Sequence, residues 1–133
     1  MIVVTGGAGF IGSNIVRALN EQGREEILVV DDLSDASKVV NLSDLRTTDY
    51  VDRTTFQQDI IEQGLPGKVT AVFHQGAGSD TMATDGREVM ETNFTFSKNL
   101  YMLVVRSSPN PFVVYFRSTS NRSHMSKAFR VID

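Results

Sequence analysis

Gly6, Gly9 and Gly12 recur three residues apart in the stretch Thr5-Gly6-Gly7-Ala8-Gly9-Phe10-Ile11-Gly12. Glycine at this spacing permits a tight turn and lets the backbone approach a pyrophosphate closely, because no Cβ intervenes. Ile2-Val3-Val4-Thr5 before the turn is apolar and β-branched and reads as a buried strand. Ile11, Ile15, Ala18 and Leu19 after it recur at helical spacing, which predicts a helix to about Gln22 with Gly23 as its stop. The start of such a helix presents free N–H groups and a partial positive charge. The indicated chemistry is therefore binding of a dinucleotide's phosphates. No Lys-Ser/Thr pair follows the glycines, which argues against a P-loop nucleoside triphosphatase. A glycine-rich turn that merely packs is the alternative, and the strand–turn–helix context favours the nucleotide.

Asp31 and Asp32 stand about twenty residues past the glycines, where an acidic side chain meets the adenosine ribose in dinucleotide folds. A solvated turn acid is the plain alternative. By that rule an acid here points to NAD. NADP needs a cation for its extra phosphate, and Lys38 and Arg53 are candidates, although either serves equally as an ordinary surface charge. Gln75-Gly76-Ala77-Gly78-Ser79 follows another apolar run, and its small residues suit a cofactor lying over a sheet edge. Asn93 interrupts an apolar helix face and must find a hydrogen-bond partner, either the loop under the cofactor or a neighbouring helix end. His74, alone at a strand end, reads as structural and is given no catalytic role.

The elements that must hold these residues alternate between strand and helix. Ile27-Leu28-Val29-Val30 is a second buried strand, which completes a βαβ unit with a right-handed crossover. Leu33 to Leu45 mixes polar and apolar residues and holds at most a short helix. Phe56, Ile60 and Ile61 suggest a further short helix, closed by Gly64-Leu65-Pro66-Gly67. Val69 to Phe73 is a third clear strand. Val89, Asn93, Phe96, Leu100 and Val104 share one face of a long helix from about Gly86 to Val105, and Phe112 to Phe116 is a last apolar strand. The fold class is α/β: a Rossmann-like, doubly wound parallel sheet, incomplete at 133 residues.

Composition sets limits. The chain is 41% hydrophobic and 22% charged, an ordinary globular profile. It has no cysteine, which excludes disulfides and thiolate metal sites, and its two histidines, His74 and His124, argue against a histidine-rich metal centre. No apolar run is long enough for a bilayer, so a membrane is not an expected partner. The apolar start meets glycine at once and reads as a strand rather than a signal peptide, which makes the cytoplasm the default location. Residues 1–100 carry 8 Lys+Arg against 15 Asp+Glu, whereas residues 101–133 carry 5 against 1. Five dispersed charges do not predict nucleic-acid binding. The shift instead divides the chain into a dinucleotide-binding domain over 1–116 and a divergent basic, serine-rich tail over 117–133.

These motifs together resemble the extended short-chain dehydrogenase/reductase superfamily, whose opening is T-G-x-x-G-F-I-G. More narrowly, the chain is similar to the ADP-L-glycero-D-manno-heptose 6-epimerase family. The similarity lies in Met1 to Asn20, in Ile27 to Leu33, and more specifically in Phe73-His74-Gln75-Gly76-Ala77-Gly78-Ser79-Asp80-Thr81, with Asp85-Gly86, Asn93, Ser97 and Leu100 beyond. The resemblance implies NADP as cofactor, with NAD as the alternative. It implies binding by Phe10 and Ile11 in the turn, Asp31, Asp32, Lys38, Arg53, Gln75 to Ser79, and Asn93. It also implies an ADP-sugar substrate and a step in lipopolysaccharide core precursor synthesis. The family usually has two asparagines in tandem where Thr92-Asn93 stands, and lysine where Arg53 stands.

The match fades after about residue 100. Pro111 to Tyr115 resembles the strand that precedes the family's catalytic serine, and Ser118 is the nearest counterpart, in a poor register beside Arg117. The family moves its proton with a Tyr-x-x-x-Lys pair. The tyrosines here are at 50, 101 and 115, and none has lysine four residues later. The expectation is a truncated chain without the sugar-binding domain, able to bind cofactor but not to turn over by itself. A non-catalytic NAD(P)-binding or sensing module and an inert product that self-associates into a homo-oligomer through an exposed sheet edge are the other readings.

Overall fold

A computed structural model describes residues 1–65, 67–76, 86–107, 112–116 and 127–131. Six strands form one sheet in the order β3-β2-β1-β4-β5-β6. They are β1 (Ile2–Thr5), β2 (Ile27–Asp31), β3 (Asp49–Asp52), β4 (Ala71–His74), β5 (Phe112–Phe116) and β6 (Lys127–Val131). The first five are mutually parallel, and β6 pairs antiparallel with β5. The helices are α1 (Phe10–Glu21), α2 (Arg53–Glu62), α3 (Gly86–Met90) and α4 (Phe96–Ser107), with a π turn over Glu91–Thr95 between the last two. A 3₁₀ segment spans Ala36–Leu42.

Consecutive residues of the central strands serve opposite faces, as the pleat requires. Val3, Leu28, Val30 and Val72 meet Phe56 and Ile60 of α2 and Phe96, Leu100 and Val104 of α4. Val4, Ile27 and Val29 meet Val16 of α1 on the other side, with Ile15, Leu19 and Tyr50 packed against them. With both faces covered, β2 is buried along its whole length. This is the doubly wound arrangement that the alternation of elements predicts.

Four elements differ from the sequence expectation. Asp49–Asp52 is an additional strand, so the apolar run near residue 70 is the fourth strand and not the third. That strand starts at Ala71 because its ladder with β1 begins at Ile2, while Thr70 N–H donates to Met1 O just outside it. The long helix contains the π turn, which a uniform period of 3.6 does not reveal. Part of the basic segment, Lys127–Val131, joins the sheet edge.

Candidate nucleotide site

All the parallel strands run in one direction, and their carboxyl ends line up. Thr5 is level with Val30 and with His74, and Asp31 with Asp52. The chain places β2 and β3 on one side of β1 and β4 and β5 on the other. The crevice between β1 and β4 is thus the topological switch point, where open α/β sheets bind ligands.

The glycine turn sits at this crevice. Gly6 has φ +68°, a conformation that side chains disfavour, and its N–H donates to Val30 O at 2.7 Å. A Cβ on Gly6 would lie 2.7 Å from Gly76 N and from Gln75 C, so the turn and the loop after β4 are in direct backbone contact. A Cβ on Gly12 would lie 2.0 Å from Gly6 O, which only glycine avoids. Gly9 caps α1 without any side-chain hydrogen bond. The N–H groups of Phe10, Ile11 and Gly12 therefore have no acceptor within the helix and remain for an anion. Phe10 is 81% exposed and Ile11 37%.

Asp31 and Asp32 divide their work. Asp31 is buried; one carboxylate oxygen accepts from Ala8 N–H at 2.8 Å, and the other from Asp32 N–H at 2.7 Å and Lys38 Nζ at 3.2 Å. It holds the glycine turn onto the end of β2. Asp32 is partly exposed, accepts from Ser34 N–H at 2.8 Å and lies 3.7 Å from Arg53 Nη2. The Ser34 backbone and side chain, with smaller contributions from Arg53 and Lys38, hold its carboxyl below the usual range, so it is ionised at neutral pH. Lys38 Nζ also donates to Asp32 O at 3.0 Å. Two cations and two carboxylates thus meet beyond the end of β2.

The structure brings together Gly6, Gly9, Phe10, Ile11, Gly12, Asp31, Asp32, Lys38, Arg53, Gln75 and Gly76 on this one edge. Ala77, Gly78, Ser79 and Ser118 lie outside the described residues. Asn93 lies in the π turn, one helical turn before Ser97.

Several contributors are not singled out by sequence reading. Asn41 Nδ2 donates to Ala8 O at 2.8 Å, so the 3₁₀ segment grips the turn from outside. Tyr50 hydroxyl donates to Asp31 O at 2.9 Å. Burial first, then Asp52, Asp31 and Asp32, raises the Tyr50 pKa and keeps it a donor. Thr5 Oγ1 accepts from Gly76 N–H at 3.2 Å. For Asn41 and Tyr50 no local pattern could signal this, since both act across the sheet edge. Among the described residues no group of three His, Cys, Asp or Glu can hold a metal ion, and no helix is long and apolar enough to cross a membrane.

This glycine cradle at a switch point agrees with family comparison. The sequence pattern of the NAD dependent epimerase/dehydratase family matches residues 2–124. The chain belongs to that family. It is 52% identical over 101 residues to the ADP-L-glycero-D-manno-heptose-6-epimerase of Brachyspira hyodysenteriae, over 75% of this chain and 32% of that protein. It therefore spans about a third of the length of that curated relative. Its fold is similar to that of Bordetella bronchiseptica WbmF in complex with NAD+, with 25% identity, a TM-score of 0.67, and coverage of 90% of this chain and 39% of that one. The UDP-glucose 4-epimerase of Thermus thermophilus in complex with NAD is similar at 29% identity and a TM-score of 0.58, over 79% and 33% of the two chains. The chain thus shares its Rossmann-like sheet with solved proteins that include a UDP-glucose 4-epimerase.

Proposed function

We propose that this chain is the NADP-binding half of a nucleotide-sugar epimerase acting on an ADP-heptose, in the direction from ADP-D-glycero-D-manno-heptose to ADP-L-glycero-D-manno-heptose. The observation that carries the cofactor reading is the cradle itself: a Cβ at Gly6 or Gly12 would strike backbone, and the first turn of α1 has no side-chain cap. The residues present fit a dinucleotide. Phe10, Ile11 and Gly12 would offer N–H groups to the pyrophosphate, with Gln75 to Ser79 and Asn93 alongside. The substrate class rests on the 52% identical relative.

Lys38 and Arg53 support NADP over NAD. Asp31 already accepts three hydrogen bonds, from Ala8, Asp32 and Lys38, which leaves it poorly placed as the sole acceptor for a ribose diol. Two cations beside Asp32 would attract a 2′-phosphate and offset the acidic charge. Bound NADP would supply a reversible hydride acceptor. The part proposed for residues 1–116 is to bind and orient it, because none of the tyrosines at 50, 101 and 115 has a lysine four residues on. That same feature favours, as a second reading, a binding module without turnover.

The test is a titration of the purified chain with NADP and NAD, followed by fluorescence and thermal shift. NADP is expected to bind more tightly. Lys38→Ala and Arg53→Ala should each weaken NADP by roughly tenfold, the scale of one charge-assisted hydrogen bond, and leave NAD nearly unchanged. Equal affinities for the two cofactors would refute the NADP assignment. No binding of either at millimolar concentration would refute the dinucleotide reading.

A further inference from the structure

His74 ends β4 and is buried, with 5% of its surface exposed. Its two ring nitrogens reach two hydroxyls on different elements. Nδ1 is 2.6 Å from Thr5 Oγ1 on β1, and Nε2 is 2.7 Å from Ser97 Oγ in the first turn of α4. The ring also packs edge-on against Phe96, with centroids 5.3 Å apart. Thr5 Oγ1 accepts in addition from Gly76 N–H at 3.2 Å.

The hydroxyl of Thr5 carries one proton, and Thr5 is 1% exposed. Among the described residues the only acceptor within reach of that proton is His74 Nδ1. Were Nδ1 itself protonated, Thr5 Oγ1 would face two donors while its own proton lay buried without an acceptor. Donation from Thr5 to Nδ1 leaves the ring proton on Nε2, directed at Ser97 Oγ. The donors then run in order from Gly76 N–H to Thr5 Oγ1, from Thr5 O–H to His74 Nδ1, and from His74 Nε2–H to Ser97 Oγ.

We infer that Thr5, neutral Nε2-protonated His74 and Ser97 form a directional hydrogen-bond chain that fixes Gly76 against the phosphate turn, making all three positioning residues for the dinucleotide. This rests on the cofactor reading of the cradle. The mechanical reason is contact. A Cβ on Gly76 would lie 3.1 Å from Gly6 N, and one on Gly6 would lie 2.7 Å from Gly76 N. Displacing Gly76 therefore displaces the Gly6 turn, whose shape presents the helix N–H groups. Ser97 extends the same constraint to α4 and links the helix that follows the π turn to the cradle.

The experiment uses the full chain without cofactor, labelled with ¹⁵N. Long-range ¹H–¹⁵N spectra at pH 7 should show His74 neutral and protonated at Nε2. A ring protonated at Nδ1, alone or as imidazolium, would overturn the inference. Thr5→Val keeps the shape and removes the hydroxyl. It should speed amide exchange at Gly76 and weaken NADP, each by roughly tenfold, and Thr5→Ser should restore both to within about twofold. Unchanged Gly76 exchange in a folded Thr5→Val chain would overturn the proposal. Should Thr5→Val not fold, Ser97→Ala takes its place. A moved His74 Nε2 resonance with weakened NADP binding would support the chain, and no change in either would refute it. If the unsubstituted chain binds neither cofactor, the cofactor reading fails and the positioning of the dinucleotide fails with it. The tautomer and the Gly76 exchange still decide whether the hydrogen-bond chain exists.

Discussion

Acidification from pH 7 to pH 5 should cost this protein about 2 kcal/mol of stability through His74 alone. Burial lowers the His74 pKa from 6.5 to about 4. The folded chain therefore resists a proton that the unfolded chain accepts readily. Between pH 6.5 and about 4 the unfolded state binds more protons, so stability falls as the pH falls. The contribution is complete above the unfolded value and lost by about pH 4. At roughly 1.4 kcal/mol per pH unit the full loss is about 3 kcal/mol. Asp32, Asp35 and Asp44, whose carboxyls are held low by hydrogen bonds to Ser34, Ser37 and Arg17, lose their contributions near and below 3.8, outside most of this window. Urea unfolding at steps from pH 7 to pH 5 measures the loss. A His74→Gln chain should lack most of the decline, and His124, present in both chains, cancels in the comparison. A flat profile in the unsubstituted chain, or an equal decline in His74→Gln, would refute the burial argument. So would proton uptake by folded His74 near pH 6.5, read by NMR.

Three further substitutions separate the cradle from the scaffold. Gly12→Ala places a methyl 2.0 Å from Gly6 O and should destabilise the chain by about 1–3 kcal/mol and abolish NADP binding, whereas Gly9→Ala, with its nearest atom at 3.3 Å, should do much less; calorimetric titration of both variants shows whether they differ. Asn20 is buried near the far end of α1, where its amide donates to Arg24 O and Arg46 O and accepts from Arg46 N–H, all at 2.8 Å. Asn20→Ala should lower stability by about 2 kcal/mol in urea and leave the NADP affinity unchanged, and a weakened affinity would mean that the two ends of α1 are coupled.

Local pattern made the central elements legible. Val3 and Val4, Ile27 to Val30, and the spacing of Phe96, Leu100 and Val104 announce burial on both faces of a parallel sheet, and all of them are in the core. β3 was not legible because an edge strand buries little. Asp49-Tyr50-Val51-Asp52 has only two apolar residues, and its place comes from pairing with β2. The π turn was equally hidden, since the residues on either side of it keep a helical period.

By itself the sequence determined the chemistry of the cradle. A glycine turn between a strand and a helix puts no Cβ in the way of a ligand, and the first turn of the helix after it has N–H groups free of intrahelical partners. It also determined the order of elements, because apolar periodicity is a local property. Only the tertiary structure decided what the polar residues around the cradle do. Asp31 turns inward to hold Ala8 N–H as well as Lys38, Asn41 reaches back to the same turn, and His74 joins Thr5 to Ser97. Each of these contacts links residues on separate elements, many of them more than twenty positions apart. Their partners are set by strand order and register, which no local spacing records.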